Sequence, residues 1–456
     1  MMKARHLFLV FAFTALPLFG RSLPDKPADP FFAKFDPLAA PVPQGLMLRA
    51  GDRLAICGDS ITEQKMYSRI METYLTVCVP ELGVTVRQYG WGGERAPGFL
   101  ARMADDCLRF SPTIATTCYG MNDHGYRPYE QAIGDVYQKN QTAIVRNFKQ
   151  AGARVVLGSA GCVGVKNQPN WDAEGVEQKN LNLSKLRNID IEIAAQEQVA
   201  FADVFWPMLK ASFEASRKYG PEFAVPGHDG VHPRWAGHVI MAYAFLKTMG
   251  LDGALGTFTT DFPTGKTVAS DGHKVLKAKR GEVTIQSSRY PFCATGDPAK
   301  DDNVRAGMGL VPFNQDLNRL MLVVKNAPAK SKVTWGSETR SYSREQLAKG
   351  INLAADFEIN PFLEAFKSVD NAVAAKQSYE TKQVKQIFHD LINGKFKTVE
   401  EIKDPEIREL FALRDAAGKF DREAIVKATE SKRAPLAAAI KTAFVPVTHT
   451  ITIQAE

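Results

Sequence analysis

The sequence has few cysteines, and their spacing excludes the common cysteine-based metal and redox motifs. No two cysteines stand in a CxxC pair, and no other spacing typical of a metal site is present. Most of them fall in predicted strands, helices or tight turns of the first half, which favours isolated, buried thiols. In an exported protein, pairing of some of them stays open. The six are Cys57, Cys78, Cys107, Cys118, Cys162 and Cys293.

The sequence also lacks a strong charge excess and a long apolar run beyond its first residues. The 57 basic and 50 acidic residues leave a net charge of +7, and no dense basic run occurs. A mixed, solvated surface is therefore expected, with no nucleic-acid partner. No segment after the N-terminus is apolar enough to predict a membrane span, and we find neither internal repeats nor low-complexity tracts.

The first 22 residues have the pattern of a secretion signal. Residues 1–6 are short and basic, residues 7–19 are almost wholly apolar, and Gly20 and Ser22 offer small residues for cleavage. The apolar stretch is short for a bilayer, although an uncleaved anchor is the alternative. We expect a secreted or periplasmic protein without stable membrane insertion, in which residues 23–50 form a linker or a surface-packed arm.

Short apolar runs alternate with helical patterns between residues 51 and 255. Such alternation predicts a parallel sheet with helices on both faces, in which functional residues gather at the carboxyl ends of the strands. Strands are predicted at 54–57, 84–89, 113–119, 155–159 and 199–204. Helices are predicted at 64–78, 97–110, 129–151 and about 173–197. Another helix is expected directly after the fifth strand, and a last one at about 234–249.

Residues 256–456 predict a second, β-rich domain that carries a helical insertion. Short strands are predicted at 274–277, 283–286, 320–324, 332–335 and 449–454, and the last is expected to return to the sheet. Residues of about 358–441 have helical patterns, with helix starts at Asp404 and Asp421 and a helix stop at Gly418.

Two motifs supply a serine, a histidine and a carboxylate. The tripeptide Gly58-Asp59-Ser60 follows the first predicted strand, and alone it is typical of an ordinary turn and helix cap. Asp229 stands three residues before His232, so its carboxylate can fold back onto the imidazole and fix the tautomer. Together these residues suit nucleophilic attack by Ser60 with His232 as base.

Two further loops could supply oxyanion donors. Gly93 follows the second strand, and a glycine there lets its backbone N–H approach a ligand closely, with Gly92 as the alternative. Asn122 follows the third strand, and its side-chain amide could donate to the same oxygen. Plain turns are the alternative explanation for both loops.

Other polar and aromatic residues have more than one explanation. His124 could line the site or be an ordinary loop histidine, and His228 with His232 suggests a metal pair for which no third ligand is evident. Ser159 lies outside any G-x-S-x-G elbow. Four aromatic residues near strand ends or in the following loops could face a sugar ring or pack in the core: Trp91, Tyr119, Tyr126 and Trp171.

Taken in chain order, the four blocks resemble the SGNH (GDSL-type) hydrolase superfamily. The match is Gly58-Asp59-Ser60-Ile61, Gly92-Gly93-Glu94, Gly120-Met121-Asn122-Asp123 and Asp229-Gly230-Val231-His232. The resemblance covers residues of about 50–250 and implies a flavodoxin-like, three-layer α/β/α fold. It further implies Ser60, His232 and Asp229 as the catalytic residues, and Ser60, Gly93 and Asn122 as the oxyanion hole.

The sequence therefore predicts an exported serine esterase that needs neither a metal nor an organic cofactor. An O-acyl, most simply O-acetyl, ester of a carbohydrate is the expected substrate class. A lipase or thioesterase, and a binding protein on an inactive hydrolase fold, are the alternatives. Neither the oligomeric state nor the role of residues 256–456 follows from the sequence.

Overall fold

The computed structural model describes residues 21–22 and 26–456, except residues 167 and 416, with only the backbone of the first two. The predicted secretion signal, residues 1–22, therefore lies almost wholly outside the described residues. Up to residue 250 the elements are β1 (Arg21–Ser22), β2 (Ala40–Pro41), β3 (Arg53–Gly58), α1 (Ser60–Glu63), α2 (Tyr67–Val77), β4 (Thr85–Gln88), α3 (Ala96–Asp106), β5 (Ile114–Cys118), α4 (Gln131–Gln150), β6 (Arg154–Gly158), α5 (Ala173–Glu197), β7 (Ala200–Ala202), α6 (Phe205–Tyr219) and α7 (Trp235–Thr248).

After residue 250 the chain forms short strands and helices and then a long helical segment. A π-helix, Lys382–Leu391, continues directly from α12. In order, the elements are β8 (Ala254–Asp261), β9 (Thr267–Ala269), β10 (His273–Lys279), β11 (Glu282–Ser287), α8 (Val304–Met308), α9 (Phe313–Asp316), β12 (Arg319–Lys325), β13 (Lys330–Trp335), β14 (Glu338–Ser343), α10 (Arg344–Lys349), β15 (Ile351–Asn352), α11 (Leu353–Asp356), α12 (Leu363–Thr381), α13 (Pro405–Leu410), α14 (Arg422–Ala443) and β16 (Val447–Ala455).

A five-stranded parallel sheet organises the first part of the chain. Its strand order is β4-β3-β5-β6-β7, and every neighbouring pair is parallel. Counted within the sheet this is the order 2-1-3-4-5 of flavodoxin-like folds. The predicted strands match to within two residues at each end, so the predicted fold class of this region is confirmed.

Strand β3 shows why the sheet is covered on both faces. Leu54 and Ile56 belong to the core under one face, whereas Ala55 and Cys57 belong to the core under the other. Because successive side chains of a strand point to opposite faces, a continuous apolar run requires two buried faces. Helices α2, α6 and α7 pack on the first face, and α3 and α4 pack on the second.

The helix predicted over 64–78 is wrong at its start. The structure has a one-turn helix, α1, directly after β3, and then a break before α2. Lys65 lies at the break with φ +59°, a left-handed conformation that interrupts any helix. Its Nζ donates to the carbonyl oxygen of Glu63 at 2.7 Å. The break leaves α1 as a short turn that carries Ser60 at its first position.

Two further sheets form the β-rich second region. One has the order β10-β11-β16-β13-β14, and all its pairs are antiparallel. The other has the order β15-β12-β8-β9, in which β12 and β8 are parallel. The last strand does return to the sheet, where β16 lies in the centre. Strands β8, β9, β14 and β15 are additional to those expected from the sequence.

The helical insertion has the predicted helix starts but not the predicted stop. Asp404 accepts hydrogen bonds from two backbone N–H groups of α13, and Asp421 accepts one from Ala424 N at the start of α14. Gly418 does not end a helix, because α13 already ends at Leu410. Gly418 instead has φ +78° in a turn closed by a bridge between Arg414 and Phe420.

The two regions share one apolar core. Phe258 of β8 and Ile451 of β16 lie in the same buried cluster as Ile70 of α2. Backbone contacts join them as well, since Tyr290 N donates to Val77 O at 2.8 Å. The insertion packs against the other face, where Ile387 lies in the cluster of α3 and α4.

The cysteines are buried, and the arm before the sheet is attached to the core by two buried phenylalanines. All six cysteines lie in the described part of the chain, are buried and carry free thiols. In the arm, Phe32 and Phe35 are fully buried and contact Trp206 edge to face. Among the described residues, no helix combines the length and apolarity that crossing a bilayer requires.

Candidate active site

Ser60 lies at the first position of α1, directly beyond the carboxyl end of the central strand β3. Asp59 caps this turn, because its Oδ1 accepts a hydrogen bond from Ile61 N at 3.0 Å. Only glycine fits at position 58, where a Cβ would lie 2.1 Å from Thr62 Oγ1 and 2.9 Å from Cys118 O. The close packing of these residues holds Ser60 at the edge of the sheet, half-buried.

The structure brings His232 and Asp229 to Ser60 in a chain of short hydrogen bonds. His232 Nε2 lies 2.8 Å from Ser60 Oγ, and His232 Nδ1 lies 2.6 Å from Asp229 Oδ2. The other carboxylate oxygen of Asp229 accepts from the backbone N–H groups of Val231 and His232, at 2.9 and 2.8 Å. One carboxylate thus orients both the turn and the imidazole that it carries.

These hydrogen bonds keep the carboxylate of Asp229 ionised. Its partial burial disfavours the charged form, but the backbone and side chain of His232 and the N–H of Val231 outweigh it. Together they hold the pKa of Asp229 below its ordinary value. An ionised Asp229 requires the proton of His232 on Nδ1, so Nε2 faces Ser60 as an acceptor.

Two glycines make the loop around this pair tight. At Gly227, with φ +89°, a Cβ would lie 1.8 Å from the carbonyl oxygen of His232. At Gly230, with φ +76°, a Cβ would lie 2.5 Å from Gly164 O. Larger residues at either position would displace the backbone that carries His232.

Asn122 follows strand β5 and is held at both ends of its amide. Its Nδ2 donates to Glu94 O at 3.0 Å, and its Oδ1 accepts from Tyr126 OH at 2.9 Å. One N–H of the amide is thus committed to Glu94. The second N–H is the one that could reach a ligand oxygen. The sequence does not reveal this contact of Tyr126, which lies four positions after Asn122 in the same loop.

A second carboxylate joins the loop of Asn122 to the loop of Gly93. Asp123 accepts from Ala96 N at 2.9 Å and from Gly120 N at 3.0 Å. Burial raises the pKa of Asp123 to about 6 despite these two bonds, and burial raises the pKa of Asp59 to about 7. Both carboxyl groups hold backbone in place and lie outside the hydrogen-bond chain of His232.

Gly93 and its alternative, Gly92, have different surroundings. Gly93 has φ +72° with open space where a Cβ would stand, whereas a Cβ at Gly92 would lie 2.8 Å from Glu63 Oε2. Glu63 also binds Lys385 of the insertion at 2.5 Å. Within the described residues, the backbone N–H groups of Ser60, Gly92 and Gly93 all lack an acceptor.

The remaining candidate residues have structural contacts of their own. His124 is fully buried, so it neither lines the site nor lies on a loop surface, and burial lowers its pKa to about 4. His228 contacts Asp301 at 3.2 Å instead of pairing with His232. Ser159 Oγ accepts from Val204 N and Phe205 N at 3.1 Å each. In the described part of the chain, no cluster of three or more histidine, cysteine or carboxylate side chains suits a metal ion.

Two of the four aromatic candidates lie beside Asn122 and the loop of Asp229. Trp171 packs against Tyr126 with ring centres 5.8 Å apart, and a Cβ at Gly230 would touch the Trp171 ring at 3.3 Å. Lys166 Nζ stands 3.8 Å from the centre of the same ring. Trp171 is nevertheless buried and belongs to the apolar core, and Tyr119 is fully buried. The fourth, Trp91, contacts His389 of the insertion at 4.6 Å between ring centres.

The region that carries these residues matches a known family. Residues 56–240 match the GDSL-like Lipase/Acylhydrolase family. This region belongs to the SGNH (GDSL-type) hydrolase superfamily. It is therefore an ester-hydrolysing enzyme of that superfamily. The acetylxylan esterase of Geobacillus stearothermophilus is 24% identical to this SGNH hydrolase over 228 residues, which cover 45% of this chain and 98% of the relative.

Solved structures resemble both the first region and the whole chain. A structure described as a gut microbial diltiazem-metabolizing enzyme has a TM-score of 0.70 at 22% identity, covering 91% of this chain and 100% of that chain. The second region of this SGNH hydrolase is therefore part of a fold already seen. The Geobacillus stearothermophilus acetylxylan esterase structure has a TM-score of 0.37 at 22% identity, covering 45% of this chain and 97% of its own.

Proposed function

We propose that this enzyme cleaves carboxylic esters through an acyl-enzyme on Ser60. One observation carries the proposal: the unbroken chain of hydrogen bonds from Asp229 through His232 to Ser60, with separations of 2.6 and 2.8 Å. A serine hydroxyl is a weak nucleophile until a base within hydrogen-bond reach accepts its proton. That base is in place here, and a carboxylate orients it.

The proposed reaction has two symmetrical halves. Ser60 Oγ attacks the ester carbonyl while His232 Nε2 takes its proton, and the tetrahedral intermediate then releases the alcohol, which takes the proton from His232. Water next attacks the acyl-Ser60 ester and gives a proton to His232. That proton returns to Ser60 Oγ as the carboxylic acid leaves. Asp229 stays ionised and stabilises the imidazolium in both halves.

Three N–H donors are proposed to bind the oxyanion. They are the backbone N–H groups of Ser60 and Gly93 and the second side-chain N–H of Asn122. Ser60 N is at the positive end of a helical turn, and Tyr126 and the carbonyl of Glu94 fix the plane of the Asn122 amide. Preorganised donors of this kind are worth about 3–4 kcal/mol of transition-state stabilisation each.

The substrate class that we propose is an acetylated carbohydrate. The curated relative that matches residues of the first region is named an acetylxylan esterase. Half-buried Tyr126 stands beside Asn122, with the buried Trp171 packed against it, and an aromatic face at this position suits the apolar face of a sugar ring. Lys166, above the Trp171 ring, adds a hydrogen-bond donor at the same edge.

A screen of esters with matched variants tests the proposal. Wild type, Ser60→Ala and Tyr126→Phe would be assayed on acetylated xylan, other acetylated glycans and p-nitrophenyl esters of increasing chain length. We expect acetate release from glycans and a preference for short chains, and loss of both in Ser60→Ala. Rising activity with chain length would indicate a lipase or thioesterase instead. No turnover and no covalent labelling on any ester would indicate a binding protein.

A further inference from the structure

We propose that Asp301, in the second region, is a positioning residue for the catalytic histidine. The inference rests on the proposed function of Ser60 and His232. Asp301 lies in the turn before α8, and its side chain reaches the loop of residues 220–234 that joins α6 to α7. This would make residues 256–456 part of the catalytic apparatus.

The carboxylate of Asp301 contacts both sides of the catalytic turn. Its Oδ2 lies 3.2 Å from His228 Nε2, and its Oδ1 accepts from Arg234 Nη1 at 3.2 Å. His228 directly precedes Asp229, and Arg234 follows His232 by two residues. One carboxylate thus clamps both ends of the short segment that holds the catalytic pair.

Backbone hydrogen bonds reinforce the clamp. Ala224 N donates to Asp301 Oδ2 at 3.3 Å, and Ala236 N, in the first turn of α7, donates to the Asp301 carbonyl at 3.0 Å. The Asp301 side chain is only 6% exposed, whereas Arg234 is 46% exposed. A carboxylate this deeply buried interacts more strongly with its partners than a surface ion pair does.

The turn that presents Asp301 is itself fixed. Asn303 Nδ2 donates to Asp297 O at 2.9 Å and to Lys300 O at 3.0 Å, while its Oδ1 caps α8. Helix α8 then packs closely on α7, since a Cβ at Gly307 would lie 2.6 Å from Val239 Cβ. The clamp therefore connects His232 to a rigid part of the second region.

Placement of His232 matters because proton transfer depends steeply on geometry. A displacement of about 1 Å caused by a change far from the reacting atoms can cost on the order of 100-fold in rate. Loss of the clamp should therefore lower the rate at which Ser60 attacks an ester more than it lowers the affinity for the substrate. Asp301 touches neither Ser60 nor His232, so the effect would pass through the loop.

The test compares Asp301→Ala with Asp302→Ala in the full-length enzyme. Asp302 is the neighbouring, 44% exposed carboxylate, which lies 3.6 Å from Arg234 Nη2 and accepts from Asn303 Nδ2 at 3.3 Å. Active sites would first be counted by the burst with p-nitrophenyl acetate. We would then measure kcat and KM per active site and the rate of Ser60 labelling by a small fluorophosphonate.

We expect Asp301→Ala to lower kcat per site and the labelling rate by the same factor, roughly 10- to 100-fold, with KM within about 3-fold. Asp302→Ala should stay within about 2-fold of wild type. Asp301→Asn keeps an acceptor for Ala224 N, so its kcat per site and labelling rate should lie between those of wild type and Asp301→Ala. This variant replaces Asp301→Ala in the test if the alanine variant does not fold.

A smaller number of active sites in the burst, with an unchanged kcat per active site, would overturn the inference. That result would indicate that Asp301 supports folding alone. A change in KM alone would also overturn it. If wild type shows no burst and no labelling, the proposed function itself fails. If wild type and Asp301→Ala are both labelled at the same normal rate, the proposed function stands and only the inference about Asp301 fails.

Discussion

The two carboxylate oxygens of Asp229 have different hydrogen-bond partners. Its Oδ1 accepts two backbone N–H groups of its own turn, while Oδ2 contacts His232 Nδ1. The side chain is 54% exposed, so these bonds rather than burial define its orientation. The contact between Asp229 and His232 can be predicted from their spacing of three residues, because both residues belong to one tight turn.

We therefore expect Asp229→Asn to reduce kcat while leaving the fold intact. The amide oxygen can still cap the turn, but the negative charge that stabilises the imidazolium is gone, and the tautomer of His232 is no longer fixed. The expected loss in kcat is on the order of 10²–10⁴. Steady-state kinetics with a thermal unfolding midpoint would measure both effects.

The matched control is Asp271→Asn, an exposed carboxyl distant in sequence from the site. Its kcat should equal that of wild type. A retained kcat in Asp229→Asn would show that the carboxylate does not assist His232.

At the scale of elements, buried ion pairs hold the helical insertion against the first region. Lys376 of α12 contacts Glu72 of α2 at 2.8 Å and Glu380 of its own helix at 3.0 Å, and its side chain is only 1% exposed. The two carboxylates are nearly as buried. Glu380 also pairs with Arg433 at 2.6 Å, so removing the lysine would leave the buried Glu72 without its cation and beside a second carboxylate.

Lys376→Ala should accordingly destabilise the enzyme by about 3–5 kcal/mol. Lys367→Ala, at an exposed position of the same helix, should change the free energy of unfolding by less than about 0.5 kcal/mol. Denaturant unfolding followed by circular dichroism would compare the two. Equal stabilities of the two variants would contradict the role assigned to the buried lysine.

The elements also show which parts of the fold a sequence can predict. Strands β3 and β6 of the parallel sheet are apolar runs that end in glycine, so their pattern is local. Strand β14 has the burial pattern of an exposed edge, and β15 has only two residues, so neither has a comparable signal. The sequence also does not predict the break at Lys65, because nothing in the composition of residues 64–78 requires a left-handed residue there.

The whole molecule depends on contacts between residues far apart in the sequence. Lys385 and Glu63 meet although 322 positions separate them, and so do Trp91 and His389. Three of the four motifs follow the ends of strands β3, β4 and β5, where the sheet topology brings them together, and the fourth lies in the loop between α6 and α7. No pattern along the chain foretold that the second region would share a core with the first.

Buried histidine in that shared core predicts a pH dependence of stability. His449 of β16 accepts from Trp335 Nε1 at 3.1 Å and contacts Ser287 Oγ at 2.9 Å. Burial lowers its pKa to about 3. Below its unfolded pKa of about 6.5 the unfolded chain binds a proton that the folded state does not, so stability is lost as pH falls from there toward 3.

The variant His449→Gln lacks this titration. The difference in free energy of unfolding between wild type and His449→Gln should therefore shift against wild type by roughly 2–3 kcal/mol between pH 7.5 and 4.5. Denaturant titrations of both proteins at each pH would measure the shift. A difference that is the same at both pH values would contradict a buried, neutral His449.

The central claim is that Ser60 is the nucleophile that His232 and Asp229 activate. The most direct measurement is the mass of the full-length enzyme after treatment with a fluorophosphonate, followed by peptide mapping of the adduct. We predict one adduct per chain, on the peptide that contains Ser60, formed far more slowly in His232→Ala and absent in Ser60→Ala. An adduct on another residue, or undiminished labelling and turnover in Ser60→Ala, would contradict the assignment.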